Sequence, residues 1–378
     1  MSFSVLRQRY NEDRFASALE ELRMGLDPML FIPQASRSER PQHPDLRGLP
    51  IRFHPDVKTE HWITQMEDKT ILNKKYITPG GTLNTAVKLS EDWPHGNRIP
   101  FIDDYQVPRV LKPLITCEED LEILRDYFLL PPDLQDIEHF MDEAVKAKRF
   151  VSQHEVLLGG GWGVGLDMAF WLCGMQDLMA KIMEDPGFVK ELLNLIHEWN
   201  KLRMDIVLSA GVDIYMRRSF YEGCDFITPE FYRDAVLPVL KSESALVHRY
   251  KSKLGYLCTS GQIPMLDDYL ESGIDVLIGV DPVQGNHMDL NLLKKKAGHR
   301  ICLWGGVSGS ITVERGNETE VRESVRRAIQ MLGPRGFILS PVDNITIDEP
   351  LTWKNIGIFI DEWKKCEITG RNQGNSDL

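Results

Sequence analysis

Residues 212–258 decide the fold, because a strand-like run, a helical stretch and a second strand-like run follow one another there. The first run is Val212-Asp213-Ile214-Tyr215-Met216, the helical pattern covers 230–252, and the second run is Leu254-Gly255-Tyr256-Leu257-Cys258. The alternation continues on both sides, with runs at 155–158, 276–280, 301–305 and 336–340 and helical stretches at 175–184, 187–209 and 318–332. Such runs joined by helices are typical of parallel strands connected by right-handed crossovers.

The six strand-like runs predict most of a (β/α)8 TIM barrel, and two further strands in the N-terminal part would complete it. The alternative is an open doubly wound sheet, which usually carries a Gly-x-Gly-x-x-Gly phosphate loop after its first strand. The glycine-rich stretch 159–165 has Gly-x-Gly spacings, but the acid expected about 20 residues later falls in a helical region. We therefore favour the α/β barrel, in which these glycines allow a sharp turn or the close approach of a ligand.

The N-terminal part of the chain does not follow the barrel pattern. A helical pattern appears within residues 1–26, and residues 61–90 indicate a hairpin or small β meander around the turn Pro79-Gly80-Gly81. We assign residues 1–110 to an N-terminal extension and 111–378 to the barrel, the two forming a single structural domain. Insertions around a barrel often form its lid, so the extension is a candidate for that role.

The composition narrows the class of protein. The 378 residues include 44 Lys and Arg against 56 Asp and Glu, which gives a net charge of -12. Nucleic acids and anionic membranes attract clustered cations, so this balance argues against both as partners. The chain has no apolar run of ~18 residues and no apolar signal-peptide core. Its six scattered cysteines indicate reduced thiols. We expect a cytoplasmic protein, and the sequence leaves open whether it forms a homodimer.

Candidate functional residues follow the carboxyl ends of the strands, where barrel enzymes carry their chemistry. The polar and aromatic side chains at these positions are Arg217, Arg218, Tyr221, Glu222, Asp225, Cys258, Asp281, His287, Trp304, Asp343 and Asn344. We expect carboxylates, arginines, a thiol and an imidazole to meet at one mouth. The hypothesis depends most on Glu222, Cys258, Asp281 and Asp343 surrounding a shared cavity.

Each candidate also has a purely structural interpretation. The acids Glu222 and Asp225 could cap the helix that follows them, and the two arginines could merely pair with these acids. Cys258 could be a small buried hydrophobe at a strand end. Asp281 and Asp343 could be turn-forming residues that bond their own backbone, and the loop imidazole could simply be exposed.

Three groups of motifs occur in order between about residues 150 and 365. They are Leu172-Cys173-Gly174-Met175-Gln176-Asp177-Leu178-Met179, then Ala210-Gly211-Val212-Asp213 with Ile227-Thr228-Pro229-Glu230-Phe231-Tyr232, then Gly305-Gly306-Val307-Ser308 with Gly336-Phe337-Ile338-Leu339-Ser340-Pro341. In this order they resemble the uroporphyrinogen decarboxylase-like family, which groups the decarboxylase with corrinoid-linked methyltransferases. The resemblance implies a (β/α)8 barrel, in agreement with the strand and helix pattern.

The resemblance also separates two branches of the family. The decarboxylases carry an N-terminal motif of the type Trp-Met-Arg-Gln-Ala-Gly-Arg that grips the carboxylates of the substrate, and this chain lacks it. The methyltransferases bind zinc through a His-x-Cys pair and a later Cys, where this chain has Tyr256-x-Cys258 and Asp343. The resemblance therefore favours methyl transfer from a small methylated or methoxylated compound, as in O-demethylation, to a corrinoid that a partner protein supplies. The alternatives are uroporphyrinogen decarboxylation and a catalytically silent barrel that acts as a binding module.

The methyltransferase interpretation gives each candidate a role. Zinc would be held by Cys258, Asp343 and Glu222. The general acid would be Glu222 or Asp225, which would protonate the leaving oxygen. Asp281 and His287 are further catalytic candidates. Arg217 or Arg218 would anchor a substrate carboxylate. Tyr221 and Trp304 would form walls for an aromatic ring, and Asn344 would contact the substrate.

Overall fold

The computed structural model describes residues 4–10, 13–32, 49–284 and 288–374. In chain order the strands are β1 (Met29–Phe31), β2 (Lys58–Met66), β3 (Lys69–Thr78), β4 (Gly81–Lys88), β5 (Val110–Lys112), β6 (Leu157–Gly163), β7 (Ile214–Arg218), β8 (Lys253–Leu257), β9 (Val276–Val280), β10 (Cys302–Ser308) and β11 (Phe337–Val342). Within these ranges, seven strands form a parallel sheet in the order β1-β6-β7-β8-β9-β10-β11. The strands β2 to β5 form a separate antiparallel sheet.

The α-helices of the described residues are α1 (Ser4–Arg9), α2 (Arg14–Arg23), α3 (Glu118–Tyr127), α4 (Leu134–His154), α5 (Leu166–Cys173), α6 (Met175–Glu184), α7 (Pro186–Ser209), α8 (Pro229–Phe231), α9 (Leu237–Arg249), α10 (Leu266–Ser272), α11 (Leu290–Ala297), α12 (Glu318–Leu332) and α13 (Pro350–Gly374). Helices α5 to α12 connect the consecutive parallel strands from β6 to β11. Local sequence explains their starts: α12 begins with a capping box of Asn317 and Glu320, and α7 begins at Pro186 after the N-cap Asp185. None of the helices in the described ranges combines the length and the apolar composition that a bilayer crossing requires.

The parallel α/β architecture and the N-terminal meander are both confirmed. Of the two strands predicted to be hidden in the N-terminal part, the described residues contain β1, which pairs with β6. The sheet pairings recorded for the described residues run from β1 to β11 and do not include a pair between these two outer strands. The closed eight-stranded barrel therefore stays a prediction. The antiparallel sheet extends the predicted meander of 61–90 to residues 58–112.

The antiparallel sheet packs into the same apolar core as the parallel strands. Tyr76 of β3 is fully buried, and its ring lies 5.1 Å from the ring of Phe128 and 6.0 Å from that of Phe101, both edge-on. Phe53 contacts the same rings at 4.9 Å. Such edge-to-face contacts add to the free energy gained by burying these rings. The aromatic cluster thus fixes the meander against the body of the protein.

The glycine-rich stretch forms a strand rather than a phosphate loop. β6 runs through these glycines, and side chains of the neighbouring elements occupy the space that larger residues would need. A Cβ on Gly160 would lie 2.5 Å from Val212 Cγ1, and one on Gly161 would lie 2.1 Å from Tyr215 Cε2. These glycines therefore allow neighbouring side chains of the protein, rather than a ligand, to pack closely against the backbone of β6.

We expect Gly161→Ala to lower the free energy of unfolding by about 2–3 kcal/mol. The residue has φ +72, where an alanine costs roughly 1 kcal/mol, and its Cβ would also overlap the Tyr215 ring. Gly96→Ala is the matched control, because Gly96 has φ +57 and no atom within 4 Å of an added Cβ. Urea unfolding of the two variants measures the difference. Equal losses would show that the Tyr215 ring moves aside freely.

Candidate active site

A cavity of about 640 Å³ lies at the carboxyl ends of the parallel strands. All seven parallel strands contribute to its wall, including the outer strands β1 and β11. Its aromatic lining consists of Phe31, Trp162, Phe220, Tyr221, Phe226 and Trp304. This volume is within the range typical of small-molecule sites, and the carboxyl end of the strands is where barrel enzymes bind substrate.

The N-terminal extension supplies part of the same wall. Arg14, Ser17 and Glu21 of α2 line the cavity, as does Asp104 of the segment before β5. The sequence pattern predicts a helix in the first 26 residues and a candidate lid, but it does not indicate that any of these four residues belongs to the site. No local pattern marks them, because their position depends on how the extension packs on the sheet.

Arg218 is the cavity-lining arginine at the end of β7. Its Nε donates a hydrogen bond to Asp167 Oδ1 at 2.8 Å, and its Nη2 donates to Asp104 Oδ2. Its guanidinium lies 4.8 Å from the ring centroid of Trp171 and 4.6 Å from that of Phe220. Trp171 Nε1 also donates to Asp104 Oδ1 at 2.8 Å. Two carboxylates and two aromatic rings thus hold this arginine in place.

Asp167 is the buried partner of this arginine. Burial raises the pKa of Asp167 to about 6, although the nearby Arg218 charge lowers it in part. At pH 7 the side chain is consequently mostly ionised. Its Oδ1 also accepts the N–H of Phe220 at 3.3 Å, while the buried Oδ2 has no hydrogen-bond partner. With Asp104 on its other side, the positive charge of Arg218 is more than balanced.

Arg217 faces the opposite side of β7 from Arg218, as the alternation of side chains along a strand requires. It is 1 % exposed, and its Nε donates to Glu243 Oε2 at 2.5 Å. Its Nη1 donates to Glu222 Oε2 at 2.6 Å. Because the sheet separates it from the cavity, Arg217 is not among the lining residues. Of the two predicted substrate anchors, the structure places only Arg218 at the cavity.

Glu222 belongs to this buried network and not to the cavity. It is fully buried, its Oε1 accepts the N–H of Leu166 at 3.1 Å, and its Oε2 accepts the Tyr256 hydroxyl at 2.8 Å. Together with Arg217, these donors occupy both carboxylate oxygens. A general acid must reach the leaving group of the substrate, so this position does not suit the predicted role.

Cys258 and Asp281 have the structural environments of a buried hydrophobe and of a turn-forming residue. Cys258 is fully buried against the Tyr269 hydroxyl and the Ser260 carbonyl, and burial raises the pKa of its thiol to about 12. Asp281 is also fully buried, and its Oδ1 accepts the N–H groups of Val283 and Gln284 at 2.7 and 3.0 Å. Cys258 is thus an inert thiol, and Asp281 is a turn-forming residue.

The remaining candidates divide between the cavity and the surface. The structure places Tyr221, Trp304, Asp343 and Asn344 on the cavity wall. Asp225 is exposed and does not line the cavity. His287 lies outside the described residues.

The loop after β11 presents Asp343 and Asn344 to the cavity. Asp343 has φ +66, a left-handed conformation that Asp and Asn tolerate better than most residues, and its Oδ1 accepts the N–H of Asn344 at 2.8 Å. Glu314 fixes the rest of the loop, because its Oε1 accepts the N–H groups of Thr346 and Ile347 at 2.6 and 3.1 Å. The carboxylate of Asp343 therefore stands at a defined place on the wall, open to solvent.

Residues 92–366 match the family model described as uroporphyrinogen decarboxylase (URO-D). The chain belongs to the URO-D family. The matched range begins before the segment that carries Asp104 and includes every parallel strand except β1. No curated protein matches the chain. The family is therefore established, and the individual activity within it is not.

Among solved structures, this URO-D family chain is similar to a methyltransferase from Methanosarcina mazei. The TM-score is 0.57 at 14% sequence identity, with 97% of this chain and 92% of that chain covered. It is also similar to a B12-independent methionine synthase from Shewanella sp. W3-18-1, with a TM-score of 0.42 at 14% identity and coverage of 62% and 67%. The first similarity extends over nearly the whole chain and shows a shared fold.

The zinc site that the methyltransferase branch of the URO-D family implies does not fit these residues. Of its predicted ligands, Cys258 and Glu222 are buried outside the cavity, whereas Asp343 lies on the cavity wall. Within the described ranges, no three His, Cys, Asp or Glu side chains are grouped so that they could hold a metal ion. A zinc site needs three or four such donors around one point.

Proposed function

We propose that the chain is a methyltransferase that moves a methyl group from a small methylated or methoxylated compound to a corrinoid protein. The observation that carries the proposal is the cavity itself, which has the volume of a small-molecule site, six aromatic side chains in its wall and, among the described residues, only two arginines against three carboxylates. Membership of a family that includes corrinoid-linked methyltransferases supports it. The corrinoid is a substrate that the partner protein brings to the cavity mouth. Because β1 and β11 line one cavity, we also propose that the sheet closes into a barrel.

The charge of the cavity separates this function from uroporphyrinogen decarboxylation. Two arginines, Arg14 and Arg218, and three carboxylates, Glu21, Asp104 and Asp343, form its charged lining within the described residues. A substrate with many carboxylates needs many cations. Arg218 is already bound by Asp104 and by the buried Asp167. The lining is thus unsuited to a polycarboxylate and suited to a neutral or cationic donor.

The residues of the cavity would bind and orient the donor rather than react with it. The rings of Trp304 and Tyr221 provide flat apolar surfaces, and Tyr221 is held by Phe170 at a ring distance of 4.8 Å. These walls exclude water from the donor and leave its methyl group directed to the mouth, where cobalt can approach it. Such positioning contributes to catalysis by holding the two reactants in a reactive geometry.

The test is methyl transfer to cob(I)alamin, followed by the change in the cobalt absorption spectrum, with a panel of methylated and methoxylated donors. We expect transfer from at least one donor and a loss of roughly 10–100-fold in kcat/KM for Trp304→Leu, because the variant loses one flat wall. Trp363→Leu is the control, since this tryptophan lies on α13 in a separate apolar cluster. Release of CO2 from uroporphyrinogen without transfer from any donor would replace this proposal with the decarboxylase.

A further inference from the structure

We infer that the methyl donor is a quaternary methylammonium compound, bound by the aromatic walls and by the Asp343 carboxylate. This inference rests on the proposed methyl transfer and names its substrate class. It follows from three independent properties of the cavity: its charge, its aromatic lining and the lack of a suitable proton donor among the lining residues that the structure describes.

The charge of the cavity favours a cationic ligand. Three carboxylates line it against two arginines, and Asp167 adds a fourth carboxylate behind Arg218. Asp104 and Asp167 both bind Arg218, and their two negative charges cancel the attraction that this arginine would have for an anion. Asp343 lies apart from them, at the end of β11, and no cation contacts it in the described structure. A partly enclosed site with an excess of one charge sign concentrates ligands of the opposite sign.

The aromatic lining provides the second argument. Six aromatic side chains, two of them tryptophans, line one cavity of about 640 Å³. The negative face of an aromatic ring attracts a cation, and the attraction is strongest for tryptophan and for a desolvated cation. A quaternary ammonium group has no N–H to donate and is weakly hydrated, so rings and one carboxylate are its natural partners. Trp304 stands on β10, the strand next to the one that leads to Asp343.

The third argument is the leaving group. Breaking the C–O bond of an ether produces an alkoxide or phenoxide unless a general acid protonates the oxygen. The predicted acid, Glu222, is buried outside the cavity. Tyr221 lines the cavity, but burial raises the pKa of its phenol well above the usual value, which makes it a poor donor. The lining carboxylates are acceptors when ionised.

A quaternary ammonium donor needs no proton at all. The C–N bond breaks, its electron pair remains on nitrogen, and the leaving group is a neutral tertiary amine. The Co(I) of the corrinoid supplies the electron pair that forms the new Co–C bond, so one methyl group passes from nitrogen to cobalt and the charges balance. The cavity then only has to bind the cation, exclude water and release the amine.

Binding can be tested before transfer. Isothermal titration calorimetry compares choline with 3,3-dimethylbutan-1-ol, its neutral carbon isostere, and with methoxybenzene. We expect choline to bind at least tenfold more tightly than the isostere. Asp343→Asn should weaken choline about tenfold and leave the isostere unchanged, and Asn also tolerates the left-handed backbone of this position. Glu349→Gln, an exposed acid beyond the cavity lining, is the matched control and should have no effect.

The outcomes separate this inference from the proposed function. Equal binding of choline and its isostere, or preferred binding of methoxybenzene, overturns the ammonium inference. Methylation of cob(I)alamin by a methoxylated arene but by no ammonium compound also overturns it, while methyl transfer itself is then supported. Ammonium binding that depends on Asp343, without transfer from any donor, supports the binding site and overturns the transferase. Transfer from an ammonium donor, weakened by Asp343→Asn, supports both.

Discussion

Replacing Arg217 by Met should lower the free energy of unfolding by about 3–5 kcal/mol. The side chain is 1 % exposed and binds two carboxylates that are themselves buried, Glu222 and Glu243. Met fills a similar part of the space but leaves both acids without their cation. Burial raises the pKa of the Glu243 carboxyl, but the neighbouring Arg217 charge outweighs that effect and holds the pKa below its usual value. Without the arginine, the cost of burying this carboxylate is no longer offset.

Urea unfolding of Arg217→Met measures this loss, and two further variants identify its cause. Lys241→Met removes a lysine from an exposed pair with Glu271, and the expected change is below about 1 kcal/mol. The double variant Arg217→Met with Glu222→Gln removes one of the stranded charges and should recover part of the stability. A loss for Arg217→Met no larger than that for Lys241→Met would contradict the buried network.

The sequence predicted those parts of the fold that depend on local periodicity. The run 276–280 coincides with β9, and the helical stretches 175–184 and 318–332 coincide with α6 and α12. The two helices bury one face and β9 is buried along its whole length, and the spacing of apolar residues in the sequence indicates this burial directly. β6 was harder to predict, because its glycines carry no apolar signal. The apolar run at 155–158 marks only the beginning of this strand, which continues through the glycines to Gly163.

The site was only partly predictable, because a position at a strand end does not fix the direction of a side chain. Arg217 and Arg218 are adjacent, and alternation allows only one of them to face the cavity, but the pattern does not tell which. Glu222 and Asp281 also follow strands, yet local hydrogen bonds turn both into the protein. Asp104 reaches the cavity from the extension through long-range packing that no local pattern reports.

Lys74 in the meander should make the stability of the protein depend strongly on pH. Its side chain is 1 % exposed, and burial lowers the pKa of its amine from 10.5 to about 7. The unfolded chain therefore binds a proton here more tightly than the folded chain does. The cost of folding around the ammonium is complete below about pH 7 and disappears as the pH approaches 10.5. Over that window this residue alone should raise the free energy of unfolding by roughly 4–5 kcal/mol.

Lys74→Met removes this pH dependence and should stabilise the protein at pH 7 by about 1–3 kcal/mol. The gain is smaller than the full cost of burying the charge, because Lys74 Nζ donates a hydrogen bond to the Ile99 carbonyl at 2.8 Å and lies 4.5 Å from the centre of the Tyr76 ring. Both interactions are lost in the variant. Urea unfolding at several values between pH 6 and pH 10 measures the slope, which should be lower in the variant than in the parent chain. Lys75→Met, on the opposite and half-buried face of β3, should leave the slope unchanged. A variant slope equal to that of the parent would mean that Lys74 keeps its proton equally well in the folded and unfolded chains.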